Sequence, residues 1–141
     1  MTAATNELPQ LPRGLGQRVL VVEDEELLLK LAMRTLEELG YAPVGFASSA
    51  AALEAFRTAP ELFHAIVTDE RMPGLSGSAL IRAVRGIRRA IPILLVSGYV
   101  DGQLTALALQ AGADEVLQKP LLARELSMSL ARVLQVGIRA D

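Results

Sequence analysis

From residue 18 onward the chain alternates short runs rich in Val, Ile and Leu with longer segments of helical period, the pattern of an α/β sandwich built on a parallel sheet. Four of the five runs are apolar at successive positions, as strands covered on both faces are. A helix-length segment separates each run from the next, which leaves room for right-handed crossovers and none for tight hairpins.

The first strand is read at Val19–Val22 and the second at Tyr41–Phe46, the third at Phe63–Thr68 and the fourth at Ile91–Val96. The fifth, Glu115–Gln118, is less apolar and reads as an edge strand. Leu28, Ala32, Leu36 and Leu39 stripe the first helix, which Gly40 stops. Ala52, Leu53 and Phe56 belong to a second helix that ends before Pro60. Leu80, Val84 and Ile87 stripe a third, entered through Ser76–Ser78. Leu104, Leu107, Ala108 and Ala111 mark a fourth, with Asp101 as N-cap and Gly112 as stop. Leu122, Leu126, Leu130, Val133 and Leu134 form the fifth. Residues 1–17 carry Pro9, Pro12, Gly14 and Gly16 with no hydrophobic period and are expected to be a flexible linker or arm. The domain proper is then 18–136, with 137–141 as a C-terminal tail.

Composition narrows the class. A chain of 141 residues holds one domain, and 51% hydrophobic residues exclude a disordered one. With no cysteine there is no disulfide framework, thiol nucleophile or thiolate metal site. A net charge of −2, from 14 basic and 16 acidic residues, lacks the footprint of a nucleic-acid binder. No apolar run approaches the roughly 18 residues that span a bilayer, and Met1–Gln10 is not a secretory signal. No membrane contact is expected, and the compartment expected is the cytoplasm.

The chemistry gathers at strand ends. The first strand runs into Glu23-Asp24-Glu25, and the third into Asp69 and then Glu70-Arg71-Met72-Pro73-Gly74. In an open parallel sheet, ligands bind outside the strand carboxyl ends where the strand order reverses. If strands one and three are neighbours there, Glu23, Asp24 and Asp69 converge, and a hard divalent cation such as Mg²⁺ relieves their repulsion. Asp24 or Glu25 alone would equally suit the start of a helix. Asp69 is different, because a Pro/Gly loop follows it. Ser97 ends the fourth strand and Lys119, before Pro120, the fifth. A hydroxyl and an ammonium in one cleft would bind the oxygens of a phosphoryl group carried on Asp69.

With these motifs in place, the chain resembles the receiver domains of two-component response regulators from residue 18 to about 135. The signatures are VLVVEDE at 19–25, TDERMPGLSG at 68–77, ILLVSGY at 93–99 and AGADEVLQKP at 111–120. The resemblance implies a flavodoxin-like, doubly wound (βα)5 fold with strand order 2-1-3-4-5. It makes Asp69 the phosphoacceptor. Asp24 would be a direct ligand of Mg²⁺ (or Mn²⁺), Glu23 would act through metal-bound water, and the Arg71 backbone carbonyl would complete the set. Ser97 and Lys119 would contact the phosphoryl oxygens, and the Lys119–Pro120 peptide would be cis. The phosphodonor would be a phosphohistidine on a histidine kinase or a histidine phosphotransfer domain. Such a domain is a signalling element rather than an enzyme.

Three positions depart from the pattern. Glu23 stands where Asp is common, and Leu121 where Phe is frequent. Val116 stands where many members carry the Tyr or Phe of a coupled switch, which leaves Tyr99 as the nearby aromatic candidate. Leu104, Leu107 and Leu109 on the fourth helix cannot share one buried stripe; if Leu107 faces the sheet with Ala108 and Ala111, Leu104 or Leu109 should be partly exposed. The fourth helix, fifth strand and fifth helix would then form a face for a partner or a homodimer. No output domain follows in this sequence, and its texture resembles receivers fused behind hybrid histidine kinases; an excised receiver is expected slightly ahead of a stand-alone regulator.

Three other readings compete. An aspartyl-phosphate phosphohydrolase usually has a second Asp two residues after its nucleophile, where this chain has Arg71. An ATPase would need a G-x-x-x-x-G-K-[ST] loop, which is absent from the sequence. A flavin module would not place acidic residues where it must cradle a phosphate. His64 lies at the start of the third strand, away from the acidic cleft, and reads as structural.

Overall fold

The computed structural model describes residues 11–139. Five strands, β1 (Arg18–Val22), β2 (Ala42–Phe46), β3 (Ala65–Asp69), β4 (Ile93–Ser97) and β5 (Glu115–Gln118), form one parallel sheet in the order β2-β1-β3-β4-β5. Helices α1 (Glu26–Glu38), α2 (Ser49–Thr58), α3 (Gly77–Ile87), α4 (Gly102–Ala111) and α5 (Ala123–Arg139) connect and cover it, with a short 3-10 turn at Pro60–Leu62. This is the predicted doubly wound fold.

Alternation along the strands builds a core on each face. Leu20, Val22, Ile66, Ile93 and Leu95 point to the layer of α2, α3 and α4, where Phe56, Leu80, Ile81 and Ala108 meet them. Val19, Val21, Val67, Leu94 and Val96 point to the layer of α1 and α5, against Leu36, Leu126 and Leu130. The three central strands are buried almost throughout, whereas β2 and β5 are half-buried, as edges must be. Ser48, Ser76 and Asp101 each accept a backbone N–H at the start of α2, α3 and α4, at 3.1, 3.1 and 2.8 Å. Gly112 ends α4 with φ of +120°, a conformation few other residues adopt.

Several expectations need correction. The strands β2, β3 and β4 begin one or two residues later than the apolar runs, because Tyr41, Phe63 and Ile91 are buried just ahead of the ladder. Leu107, Ile87 and Leu122 were placed on buried stripes, yet they are exposed. On α4 the small Ala108 and Ala111 set the buried line, and Leu107 lies to one side of it, about 100° from Ala108. Leu109 is exposed and Leu104 half-buried, as the crowding of leucines requires.

The described part of the N-terminal arm is docked, not a free linker. Gly14 and Gly16 donate to the carbonyls of Leu39 and Gly40 at 2.7 and 2.8 Å. The Arg13 guanidinium donates to the Glu38 carbonyl at 2.7 Å, and the buried Ser127 hydroxyl donates to the Pro12 carbonyl at 2.7 Å. Residues 1–10 of the arm lie outside the described residues. The tail was expected from 137, but α5 continues through Gly137 to Arg139; residues 140–141 lie outside the description. His64 sits where the sequence reading put it: its Nδ1 accepts the Arg18 N–H at 3.0 Å and its own N–H donates to the Arg18 carbonyl.

Candidate functional site

Strand register brings the site together. Val22 of β1 is level with Thr68 of β3, so Glu23 and Asp69 emerge side by side one residue later. Asp69 is level with Val96, and Ser97 with Gln118, so Ser97 and Lys119 arrive at the same rim. Carboxylate oxygens of Glu23, Asp24 and Asp69 lie within 4.8 Å of one another. Glu23 and Asp69 are buried and Asp24 is half-buried.

Lys119 ties the cluster. Its Nζ donates to Glu23 Oε1 at 2.7 Å and lies 3.2 Å from Asp69 Oδ2. The Lys119–Pro120 peptide is cis. Backbone amides hold the other carboxylate oxygens: Glu25 N–H donates to Glu23 Oε2 at 3.1 Å, and Glu70 N–H to Asp69 Oδ1 at 2.8 Å. Burial, and then the charge of Glu23, push the Asp69 carboxyl above its ordinary pKa, while Lys119 and the Glu70 amide pull the other way. For Lys119 burial alone would lower the pKa, but Glu23 and Asp69 outweigh it and hold the ammonium above its usual value. The site therefore has three acids facing one firmly charged lysine. A further divalent cation fits this donor set of crowded oxygens, whose charge Lys119 offsets in part.

The remaining predicted residues are less engaged. The buried Ser97 hydroxyl donates to the Tyr99 carbonyl at 3.2 Å, within its own loop. Tyr99 is 64% exposed, which puts its ring at the rim rather than inside the cleft. Val116 packs on the core layer shared with Leu95, its partner in register. Arg71 is exposed in the loop after β3. Glu70 turns away from the cluster, accepting from Ser78 N–H and hydroxyl at 2.9 and 2.8 Å. Two residues after Asp69 there is thus no acid, and Glu70 next to it is occupied, so the phosphohydrolase reading is not favoured.

Three residues to which the sequence reading gave no individual role, two of them inside its 68–77 motif, also shape the site. The buried Ser49 hydroxyl donates to the Pro73 carbonyl at 3.3 Å and accepts Leu75 N–H at 3.2 Å, clamping the loop that follows Asp69. Its only signal was redundancy, since Ser48 already caps α2. Thr68 donates to the Asp69 carbonyl at 2.9 Å. Gly77 sits directly against that same carbonyl, where an added Cβ would collide with backbone on both sides.

The response regulator receiver domain family matches residues 19–131. The chain is 32% identical over 114 residues to the C4-dicarboxylate transport transcriptional regulatory protein DctD of Rhizobium meliloti, covering 81% of this chain and 24% of that one. It is 30% identical over 122 residues to the alkaline phosphatase synthesis transcriptional regulatory protein PhoP of Bacillus subtilis, covering 86% and 50%. The chain thus spans a quarter to a half of these relatives. Among solved structures it is similar to a response regulator receiver domain protein from Clostridium thermocellum, with TM-score 0.84, 27% identity and coverage of 89% and 99%. A CheY-like receiver from Methanospirillum hungatei JF-1 gives TM-score 0.83 and 25% identity over 89% of this chain and 99% of that one.

Proposed function

Since the chain belongs to the family of response regulator receiver domains, we propose that Asp69 is its phosphoacceptor, loaded from a phosphohistidine on a histidine kinase or histidine phosphotransfer domain. The observation that carries the reading is the contact of Lys119 with both Glu23 and Asp69 beside Asp24.

In the transfer an Asp69 carboxylate oxygen forms a bond to phosphorus as the donor's N–P bond breaks, and the imidazole leaves with the bonding pair. Asp69 must be ionised to attack, and Lys119 favours that form. Lys119 and the Ser97 hydroxyl then hold phosphoryl oxygens, Ser97 by turning from the Tyr99 carbonyl. Asp24, Glu23 and the carbonyl of Arg71 would hold Mg²⁺ or Mn²⁺, which supplies charge neutralisation for the incoming phosphoryl oxygens. Asp24 would be the direct ligand. Glu23, already bound to Lys119 and the Glu25 amide, would act on the metal through water.

The loaded state favours one of two arrangements of the face made by α4, β5 and α5, which changes its affinity for a partner or a second copy. Val116 couples Ser97 to that face by packing in place of an aromatic flip. No helix among the described residues is long and apolar enough to cross a membrane, and the domain works in the cytoplasm. The test is phosphoryl transfer from a phosphorylated histidine phosphotransfer domain in Mg²⁺. Label should reach the wild type and be lost in Asp69→Asn; label persisting in Asp69→Asn would place the acceptor elsewhere.

A further inference from the structure

The loop after β3 is held from two directions, and Arg71 lies between the holds. On the near side Glu70 is fixed through main chain and side chain alike. Its N–H donates to the Val96 carbonyl at 3.1 Å, its carbonyl accepts Gly77 N–H at 2.9 Å, and its carboxylate accepts from Ser78. On the far side stands Ser49, the first residue of α2 and only 2% exposed. Its hydroxyl donates to the Pro73 carbonyl at 3.3 Å and accepts Leu75 N–H at 3.2 Å. Gly74, with φ of +81°, turns the chain around that hydroxyl. Among the described residues no other hydrogen bond reaches the main chain of residues 71–75. Arg71 is thus one residue from the first hold and two from the second.

The sheet explains how α2 reaches this loop. Phe46 of β2 is level with Val22 of β1, so α2 starts at the same carboxyl edge as Glu23. Capping of the helix does not require Ser49, because Ser48 already accepts Ala51 N–H. We propose that Ser49 is a positioning residue, which fixes where the Arg71 carbonyl points and so sets the preference of the site for Mg²⁺ over Ca²⁺. This preference rests on the metal set proposed above; the clamp on the loop does not. The two ions differ in what they tolerate. Mg²⁺ demands near-octahedral oxygens at about 2.0–2.1 Å, whereas Ca²⁺ accepts flexible geometry at about 2.3–2.6 Å. Carboxylates attract either cation by charge, but a neutral carbonyl contributes only where it is aimed. With the far hold released, Arg71 is fixed on the Glu70 side alone. The tolerant ion follows that freedom and the exacting one loses affinity.

Ser49→Ala removes both bonds to the loop. Ser48→Ala removes the helix cap without touching the loop, and so controls for lost stability. With MgCl₂ and CaCl₂ titrated into each full chain and followed by amide chemical shifts, Ser49→Ala should weaken Mg²⁺ about tenfold and Ca²⁺ about twofold or less. Ser48→Ala should leave the ratio of the two affinities unchanged, and Asp24→Asn should weaken both ions strongly. An unchanged ratio in Ser49→Ala, or an equal change in Ser48→Ala, would overturn the positioning role. The clamp also has a readout that needs no metal. In chelator, Leu75 N–H should exchange with solvent about tenfold or more faster in Ser49→Ala than in the wild type or Ser48→Ala. Equal exchange in all three would overturn the clamp. Were Asp24→Asn to bind both ions as the wild type does, the metal set would fall and the preference with it. The exchange of Leu75 would still decide the clamp.

Discussion

Asp69 sits under opposing pulls, and burial with the charge of Glu23 wins over Lys119, leaving its carboxyl above the ordinary range. A carboxyl whose folded pKa is raised favours the fold below its unfolded pKa. That contribution is lost as pH rises through the raised value. At neutral pH without metal, ionised Asp69 therefore works against the fold. Asp69→Asn should raise the melting temperature by a few degrees at pH 7 in chelator, and the gap should close below the usual carboxylate range. A variant melting below the wild type at pH 7 would show that the Lys119 pairing outweighs burial. The acids, Ser97 and Lys119 were legible because each follows an apolar run directly. Ser49 was not, because its work is a contact with Pro73 and Leu75 more than twenty residues away in sequence.

Among the elements, α3 begins where the chain has no room to spare. Gly77 presses on the Asp69 carbonyl, and neither that atom nor the neighbouring Glu70 backbone can move without moving Asp69. Gly77→Ala should cost about 2–3 kcal/mol in urea unfolding with an unchanged slope; an unshifted midpoint would mean the loop yields freely. On α4, Leu107 and Leu109 are 41% and 48% exposed, and Leu122 and Met128 add apolar surface around α5. If this is the face that phosphorylation remodels, Leu109→Ser should weaken self-association in beryllofluoride, measured by sedimentation. No change with or without beryllofluoride would place the face elsewhere. The strands and caps were readable from period and spacing. The docked arm was not, because Gly14 and Gly16 are held by backbone bonds that a Pro/Gly-rich composition hides. The end of α5 lies beyond the expected boundary at 136, because a glycine inside a helix ends it only where it takes a left-handed turn, and the helix runs through Gly137.

For the molecule as a whole, the strand order puts two core layers on the faces and leaves chemistry to the carboxyl edge, where β1 and β3 are neighbours. That order followed from the resemblance; periodicity gave the strands but not which of them touch. In the proposed function the same edge would hold both the metal and the phosphoryl group. Glu23 is already held by Lys119 and an amide, while Asp24 is half-buried beside it. In a Mg²⁺ titration Glu23→Gln should weaken binding about tenfold and Asp24→Asn considerably more; the reverse order would exchange their roles. The central claim is that the cluster exists to carry one phosphoryl group on Asp69. Intact mass after incubation with acetyl phosphate and Mg²⁺ tests it most directly. The wild type should gain the mass of a single phosphoryl group, lose it on chelation before labelling, and Asp69→Asn should gain none. An equal gain in Asp69→Asn, or no gain in the wild type, would contradict the account.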